Sequence, residues 1–340
     1  MTTRRSRRIR ENLEAAAYLA PAGIILLVFW FMPVLLTLGI SFFDATALTP
    51  VEEMNFVGPA QYARGFQDEQ FVQSIWNTAN YAIYHIPPTL VLALLVAMLL
   101  NTGVQGRAFF RTAFFLPYVT TWVAIAIVWN YVYHRDVGLA NYLLSFIQKN
   151  ILGMEPARVN WLGEASGIWE IAIWQHLGID VRSWGLPGGS HNILTGPSLA
   201  LFSIVITSIW RDIGYFMVIF LAGLQNIDKS YYEAASIDGA SAWQKFRTIT
   251  FPLLSPVTFF LLIISMIHAF MEFVPMYIMT PNGGPAYSTA PMVFHLYMVG
   301  FTGQWELSYA ASLAYILTMF ILALTLLQNL LVGRKVEYDN

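Results

Sequence analysis

Six runs of apolar residues divide the chain, at about Tyr18–Phe43, Ile75–Leu100, Phe109–Tyr133, Leu199–Leu224, Val257–Thr280 and Tyr309–Val332. Each is long enough to cross a hydrocarbon layer as a helix, which takes about 20 residues at 1.5 Å per residue. Between the fourth and fifth runs lies a polar, helix-favouring island, Ser230–Pro256. Ser230 with Glu233, and Ser241 with Gln244, have the spacing of capping boxes, so two short helices are predicted. Gly239 between them can take the left-handed conformation that ends the first, and Pro252 and Pro256 limit the second. Ala242, Phe246 and Ile249 fall on one apolar stripe, with Gln244, Lys245, Arg247 and Thr248 directed elsewhere. The pattern predicts helix, tight turn, helix, with one face packed and the other open to a partner.

Composition agrees with a polytopic membrane protein. Of the 340 residues 57% are hydrophobic and only 11% charged, against roughly 25% charged in soluble domains. The chain has no cysteine, which removes disulfides, thiolate metal sites and cysteine nucleophiles. A net charge of −2 argues against a nucleic-acid partner. The first apolar run follows Arg4, Arg5, Arg7, Arg8 and Arg10 and exceeds the length of a signal peptide's apolar core, so an uncleaved first helix is expected.

Six crossings put both termini on one side. Twelve of the eighteen Lys and Arg residues fall on that side, Arg334 and Lys335 included. Five, at Arg64, Arg135, Lys149, Arg158 and Arg182, fall on the other, and Arg211 lies within a helix. The positive-inside rule makes both termini and the island cytoplasmic. The expected organisation is one all-α transmembrane domain over 1–340, with a cytoplasmic tail at 1–16 and a cytoplasmic loop at 226–256. Outside lie the acidic loop 44–72 and the long loop 134–198, rich in Trp, Gly and Pro and including Trp161, Trp169, Trp174, Trp184 and the glycine-rich stretch 185–189. Its apolar part near 168–177 is too short to span and reads as an interfacial or packed external helix.

Charged side chains at mid-membrane cost about 2.5–3.5 kcal/mol on insertion scales, so Arg211, Asp212 and Glu272 stand out. Ser208, Asp212 and Tyr215 share one helical face, as do Ser265, His268 and Glu272 on the next helix. These stripes are either a polar substrate path or interhelical hydrogen-bond glue. Arg211 and Asp212 point about 100° apart and are not expected to pair, which leaves Glu272 as a partner for Arg211. His85 beside Pro87-Pro88 is accounted for by a kink. The six histidines show no metal-ligand spacing. Gly-Lys does not occur, so no phosphate-cradling loop with its lysine exists, and no catalytic constellation can be defended.

Glu233-Ala234-Ala235, three residues, Gly239, nine residues, Ile249, one residue, then Phe251-Pro252 resembles the EAA signature of the binding-protein-dependent permeases of ABC importers. Phe251 replaces the usual leucine, and Asp228 stands where sugar permeases commonly have proline. Phe56-Val57-Gly58 with Tyr62, Gly106–Arg111 followed by Phe115-Leu116-Pro117, Gly138–Asn141, Leu221–Gln225 and Gly283-Gly284-Pro285 are similar to blocks of the carbohydrate-type branch, maltose-permease-F-like and glycerol-phosphate-permease-A-like. Near Tyr277–Pro285 there is one residue more than in many members, and 165–196 looks like an insertion.

The resemblance implies a type I ABC-importer permease fold with six transmembrane helices and a cytoplasmic helix-turn-helix coupling loop. It implies that Glu233, Ala234, Ala235, Asp238, Gly239, Ala240, Trp243, Phe246 and Pro252 form the surface that docks a separate ATPase. Ser208, Arg211, Asp212, Tyr215, Ser265, His268 and Glu272 would then flank the path of a sugar or polyol. It further implies a second permease as heterodimer partner, two ATPase copies carrying ATP and Mg, an external binding protein, no cofactor or metal on this chain, and the plasma membrane of a prokaryote. The alternative is a proton-coupled carrier working through Glu272 and His268. A membrane enzyme is excluded for want of a catalytic constellation.

Overall fold

A computed structural model describes residues 4–103, 105–151, 153–178, 180, 194–303, 305–331 and 333, with side chains from 11 onward. The side chains of Arg4 to Arg10, with Arg182, Trp184, 185–189, His191, Val332, Arg334 and Lys335, lie outside the described residues, as do 179 and 181–193 of the insertion expected at 165–196.

The chain opens with helix α1 (Arg4–Leu26), a widened turn over Leu27–Phe31 and α2 (Met32–Ile40). Strands β1 (Phe43–Asp44) and β2 (Asn55–Phe56) pair antiparallel, so the first apolar run leaves the helix at Ile40 and not at Phe43. Helices α3 (Ala60–Gln67), α4 (Glu69–Asn101), α5 (Arg107–Val119), α6 (Trp122–Val132) and α7 (Leu139–Asn150) follow. A widened turn over Glu170–Trp174 leads into α8 (Gln175–Leu177), and together they form the short helical segment expected near 168–177. Then come α9 (Leu199–Asn226), α10 (Lys229–Ile237), α11 (Ala242–Lys245), α12 (Phe251–Leu253), α13 (Ser255–Met271), α14 (Val274–Met279), α15 (Met292–Phe301) and α16 (Leu307–Leu331).

Five segments are long and apolar enough to cross a membrane: Glu11–Ile40, Glu69–Asn101, Leu199–Asn226, Ser255–Met279 and Leu307–Leu331. α5 and α6 pass the same test only together, as a pair bent by 97°, and make a sixth where the pair counts as one span. The third run is therefore not the straight helix its hydropathy predicts. The β-branched run Val119-Thr120-Thr121 has low helix propensity, and Thr120 and Thr121 are extended, with ψ of 141° and 140°. The Thr120 hydroxyl donates to the Leu116 carbonyl at 3.0 Å and helps satisfy the end of α5.

The fifth run is also interrupted. α13 ends at Met271, Glu272 is extended (ψ 132°), and α14 restarts with Pro275 in its first turn. Pro275 has no N–H for the Met271 carbonyl and its ring would clash with it, so a continuous helix through this point is unfavourable by about 3 kcal/mol. By contrast α4 runs through Pro87 and Pro88 as one helix.

The described residues group into two units, one of 1–65 with 296–316, the other of 66–295 with 317–340. Within the first, Gln61 donates to Asp44 at 3.1 Å, and the Trp305 and Ala45 carbonyls accept from Ala47 and Ser308 at 2.9 and 3.2 Å. Arg64 pairs with Glu306 and lies over the Tyr309 ring at 4.0 Å. No residue in the most apolar window of the first span is buried. Within the second unit, α4 packs most extensively on α9, with α5 and α13 against the same pair. At Gly214 the backbones of α9 and α5 approach so closely that an added Cβ would stand 1.8 Å from the Phe114 carbonyl oxygen.

Candidate functional site

Both interruptions open onto one cavity of about 440 Å³ in the second unit. Its wall is built from Tyr81 and His85 of α4, Tyr118 and Trp122 on either side of the α5–α6 bend, Arg211, Asp212, Tyr215 and Phe216 of α9, and Ser265, Ile267, His268, Ala269, Met271 and Glu272 at the end of α13. Irregular backbone at membrane depth is tolerated where it lines such a cavity.

Six of the seven residues expected on the polar stripes line this wall: Arg211, Asp212, Tyr215, Ser265, His268 and Glu272. Ser208 does not. It is fully buried, with its hydroxyl donating to the Ile204 carbonyl at 3.0 Å. Glu272 reaches the cavity from the extended break and not from the helical face of Ser265 and His268.

Arg211 and Asp212 do pair, contrary to expectation: Arg211 Nη1 donates to Asp212 Oδ1 at 2.8 Å. The 100° separation holds for the Cβ directions, but the long arginine stem reaches back round the helix. The guanidinium also sits 4.8 Å from the Tyr118 ring centre and 4.5 Å from that of Trp122, so the bend supplies two aromatic faces to a desolvated cation. The second oxygen of Asp212 faces His85 Nε2 at 3.2 Å, and the His85 ring stacks on Tyr81 at 5.1 Å. Tyr118 and Tyr215 stack at 4.5 Å with their planes 13° apart. The result is a wall of aromatic faces around one cation and two carboxylates.

His85, Tyr81, Tyr118 and Trp122 were not expected here. Tyr81 and His85 are four apart on one face of α4, a signal as readable as the stripes on α9 and α13. Tyr118 and Trp122 could be found only by placing the bend that Val119-Thr120-Thr121 encodes.

On the far side of α9 and α13 from the loop 134–198 lies the helix-turn-helix. Its first helix is capped by Asp228, whose carboxylate accepts from the Ser230 N–H at 2.9 Å, so the expected Ser230–Glu233 box is not the cap. Ser230 sits already inside α10. That N–H holds the Asp228 carboxyl below the usual carboxylate range. The second box is present: Ser241 N–H donates to Gln244 Oε1 at 2.7 Å and Gln244 N–H to Ser241 Oγ at 3.3 Å. Gly239 has φ +76°, with Ala240 N–H bonding to Ala235 O at 2.9 Å and Gly239 N–H to Ser236 O at 3.2 Å, the paired bonds of a Schellman turn.

Pro252 lies inside the second helix, which runs on to Leu253 and stops between Pro252 and Pro256. A widened turn over Phe246–Thr250 removes the need for a Pro252 N–H, and Pro256 falls in the first turn of α13, where its missing donor is no loss. Of the expected stripe, Phe246 and Ile249 are half-buried while Ala242 is exposed. Lys245 is turned back, its Nζ donating to Ser236 Oγ at 2.6 Å. Glu233, Ala234, Asp238 and Gly239 are exposed, Ala235, Ala240 and Pro252 half-buried, and Ile237 and Trp243 project at 87% and 67% exposure. Among the described residues no group of His, Cys, Asp and Glu could hold a metal ion.

A family model described as binding-protein-dependent transport system inner membrane component matches residues 62–336. The chain is 32% identical over 328 residues to the probable ABC transporter permease protein YesP of Bacillus subtilis (strain 168), covering 95% of this chain and 92% of that protein. It is 31% identical over 329 residues to the lactose transport system permease protein LacF of Rhizobium radiobacter, covering 96% of each. Its fold matches the crystal structure of a bacterial alginate ABC transporter in complex with an alginate pentasaccharide-bound periplasmic protein, with a TM-score of 0.72 at 22% identity over 98% of this chain and 99% of that one. The likeness first visible in Glu233-Ala234-Ala235 and Gly239 thus extends over nearly the whole molecule, and the chain belongs to the binding-protein-dependent inner-membrane component family, the multi-pass permease subunits of ABC importers.

Proposed function

We propose that this permease forms half of the translocation path for a sugar, from mono- to oligosaccharide, or a related polyol, and that the cavity between α4, α9 and α13 is where the solute passes. The observation that carries this reading is the wall itself. Stacked Tyr118 and Tyr215, with Trp122 and Phe216, offer flat apolar faces, while Glu272, His268 and Ser265 offer hydrogen-bonding groups beside them. That combination suits a ring with one apolar face and a rim of hydroxyls. Arg211 is already met by Asp212, which favours a neutral solute over a phosphorylated or uronic one. LacF and the alginate transporter, by name, handle carbohydrates, which supports the same class. The carrier alternative through Glu272 and His268 finds no support in the family match.

In this reading the helix-turn-helix seats in a separate ATPase, which holds ATP and Mg, and passes its closure to α9 and α13. A second, related permease completes the path, two ATPase copies drive it, and an external binding protein delivers the solute. Both termini are cytoplasmic, in the plasma membrane of a prokaryote. Exposed Ile237 and Trp243 give the docking face its apolar contacts, beside Glu233, Ala234 and Asp238.

Two measurements test this. Tyr215→Ala removes one half of a stacked pair worth about 0.5–1.5 kcal/mol. It is expected to raise the KM for uptake of the sugar that supports growth only when this permease is present, while the ATPase still co-purifies. Unchanged uptake kinetics in both Tyr215→Ala and Glu272→Gln would reassign the wall to packing. For the coupling turn, nothing lies within 4 Å of the position a Gly239 Cβ would take, so only the backbone conformation is at stake. Gly239→Val, forced into a left-handed conformation that costs roughly 1–2 kcal/mol, should loosen the turn and lower ATPase co-purification. Gly239→Asn, which tolerates that conformation, should not.

A further inference from the structure

Outside the cavity and the coupling turn, α7 presents an apolar face that the described structure leaves open. Leu139, Tyr142, Leu143, Phe146 and Ile147 are 43–68% exposed. At 100° per residue they fill an arc about 140° wide, the stripe that an amphipathic helix ordinarily buries. The opposite face is fastened. Asn141 is buried and uses its whole amide: Nδ2 donates to the Arg135 and Val159 carbonyls at 2.8 and 2.9 Å, and Oδ1 accepts from Val159 N–H and Trp161 Nε1, both at 3.1 Å. Gln148, on the same side, accepts from Ala157 N–H at 2.9 Å. The Trp161 carbonyl in turn accepts from Ser203 of α9 at 3.2 Å. The rotation of α7 is therefore set, and its apolar arc faces away from the protein.

Two features decide what covers that arc. α7 begins against the end of α6: the Gly138 N–H bonds to the His134 carbonyl at 2.9 Å, and an added Cβ there would stand 2.5 Å from the Val132 carbonyl oxygen. The helix thus starts at the level where the bent third span ends. Moreover α6 exposes Val123, Ile127, Val128 and Tyr131, and Val137 continues that apolar surface towards α7. Lys149 lies at one edge of the arc, placed to extend its ammonium toward headgroups.

We propose that α7 is an interfacial helix, seated in the bilayer surface on the side opposite the helix-turn-helix, with Leu139, Leu143, Phe146 and Ile147 in the acyl boundary and Tyr142 and Lys149 at the headgroups. Its partner is the lipid surface. Through Asn141 and Trp161 this anchor fixes the depth at which α9 enters the membrane.

This chain has no cysteine, so a single introduced one is unique within it, and the transporter with the unsubstituted chain, labelled in parallel, supplies the signal of the other subunits for subtraction. Phe146→Cys and Leu143→Cys, each carrying a nitroxide, would be compared with Glu155→Cys, an exposed position in the same loop, in the intact transporter isolated from its native membranes and reconstituted in proteoliposomes. The expected result is frequent collision with oxygen and rare collision with a water-soluble nickel chelate at 143 and 146, at a depth of about 5–10 Å below the phosphates, with the reverse at 155. Nickel collisions at 143 and 146 as frequent as at 155 would place the face in water and overturn the proposal. Shielding from both reagents would also overturn it, by showing a protein surface on the arc.

Discussion

Gly214→Ala is expected to abolish transport, although it adds a single methyl group in the middle of a helix where alanine is the better helix former. The methyl carbon would stand 1.8 Å from the Phe114 carbonyl oxygen, 2.5 Å from its carbon and 2.9 Å from Phe115 Cα. All three are backbone atoms of α5, so no rotamer change relieves the clash and α5 as a whole must move off α9. Overpacking of this kind costs typically 1–3 kcal/mol, against a propensity gain of about 1. The functional loss should exceed the loss of stability, because Tyr118 lies one turn beyond Phe114 and its stacking on Tyr215, next to Gly214, depends on the same approach. Gly223→Ala provides the comparison on the same helix. Its Cβ would meet Leu254 Cδ2 at 2.9 Å and Val257 Cγ2 at 3.0 Å, side-chain ends that can turn away. Uptake by the two variants, with unfolding followed by tryptophan fluorescence, should therefore separate: Gly214→Ala inactive, Gly223→Ala mildly impaired. Equal activity in the two would mean that α5 does not need to touch α9 for transport.

The sequence was most legible where one periodicity governs one element. The apolar runs locate every span, because a membrane helix must be apolar along its whole length. Ser241, Gln244 and Gly239 specify the helix-turn-helix because caps and left-handed turns are local chemistry. Legibility failed where two elements share a residue. Asp228 took the cap that Ser230 could equally have supplied, a contest decided by where the chain leaves α9. The bends at Thr120–Thr121 and Glu272 are hidden in hydropathy, which does not distinguish a broken apolar run from a straight one. Their local signs were present, in β-branched Val119-Thr120-Thr121 and in Pro275, but only the three-dimensional arrangement shows that both breaks face one cavity. Arg211 pairs with its neighbour for a further reason: Cβ direction is a fair guide to reach for aspartate and a poor one for arginine.

That pair gives the second large effect. Asp212 holds Arg211 through one oxygen and faces His85 through the other, and the side chains of Arg211 and His85 are 16% and 4% exposed. Asp212→Ala leaves a buried cation with no carboxylate at 2.8 Å, and removing one partner of a buried ion pair typically costs 3–5 kcal/mol. The variant should assemble poorly, with a lower midpoint of thermal unfolding. The double replacement Arg211→Met with Asp212→Leu removes both charges and should recover most of that stability, since apolar substitutes for a buried pair are often neutral or better. Transport should not return with it. The guanidinium is what stands against the Tyr118 and Trp122 rings, and Asp212 is the carboxylate beside His85, so an apolar pair restores the packing of α9 without restoring the wall. Recovery of uptake together with stability would show that the charges serve only to pack the helices. Stability without uptake would assign them to the path.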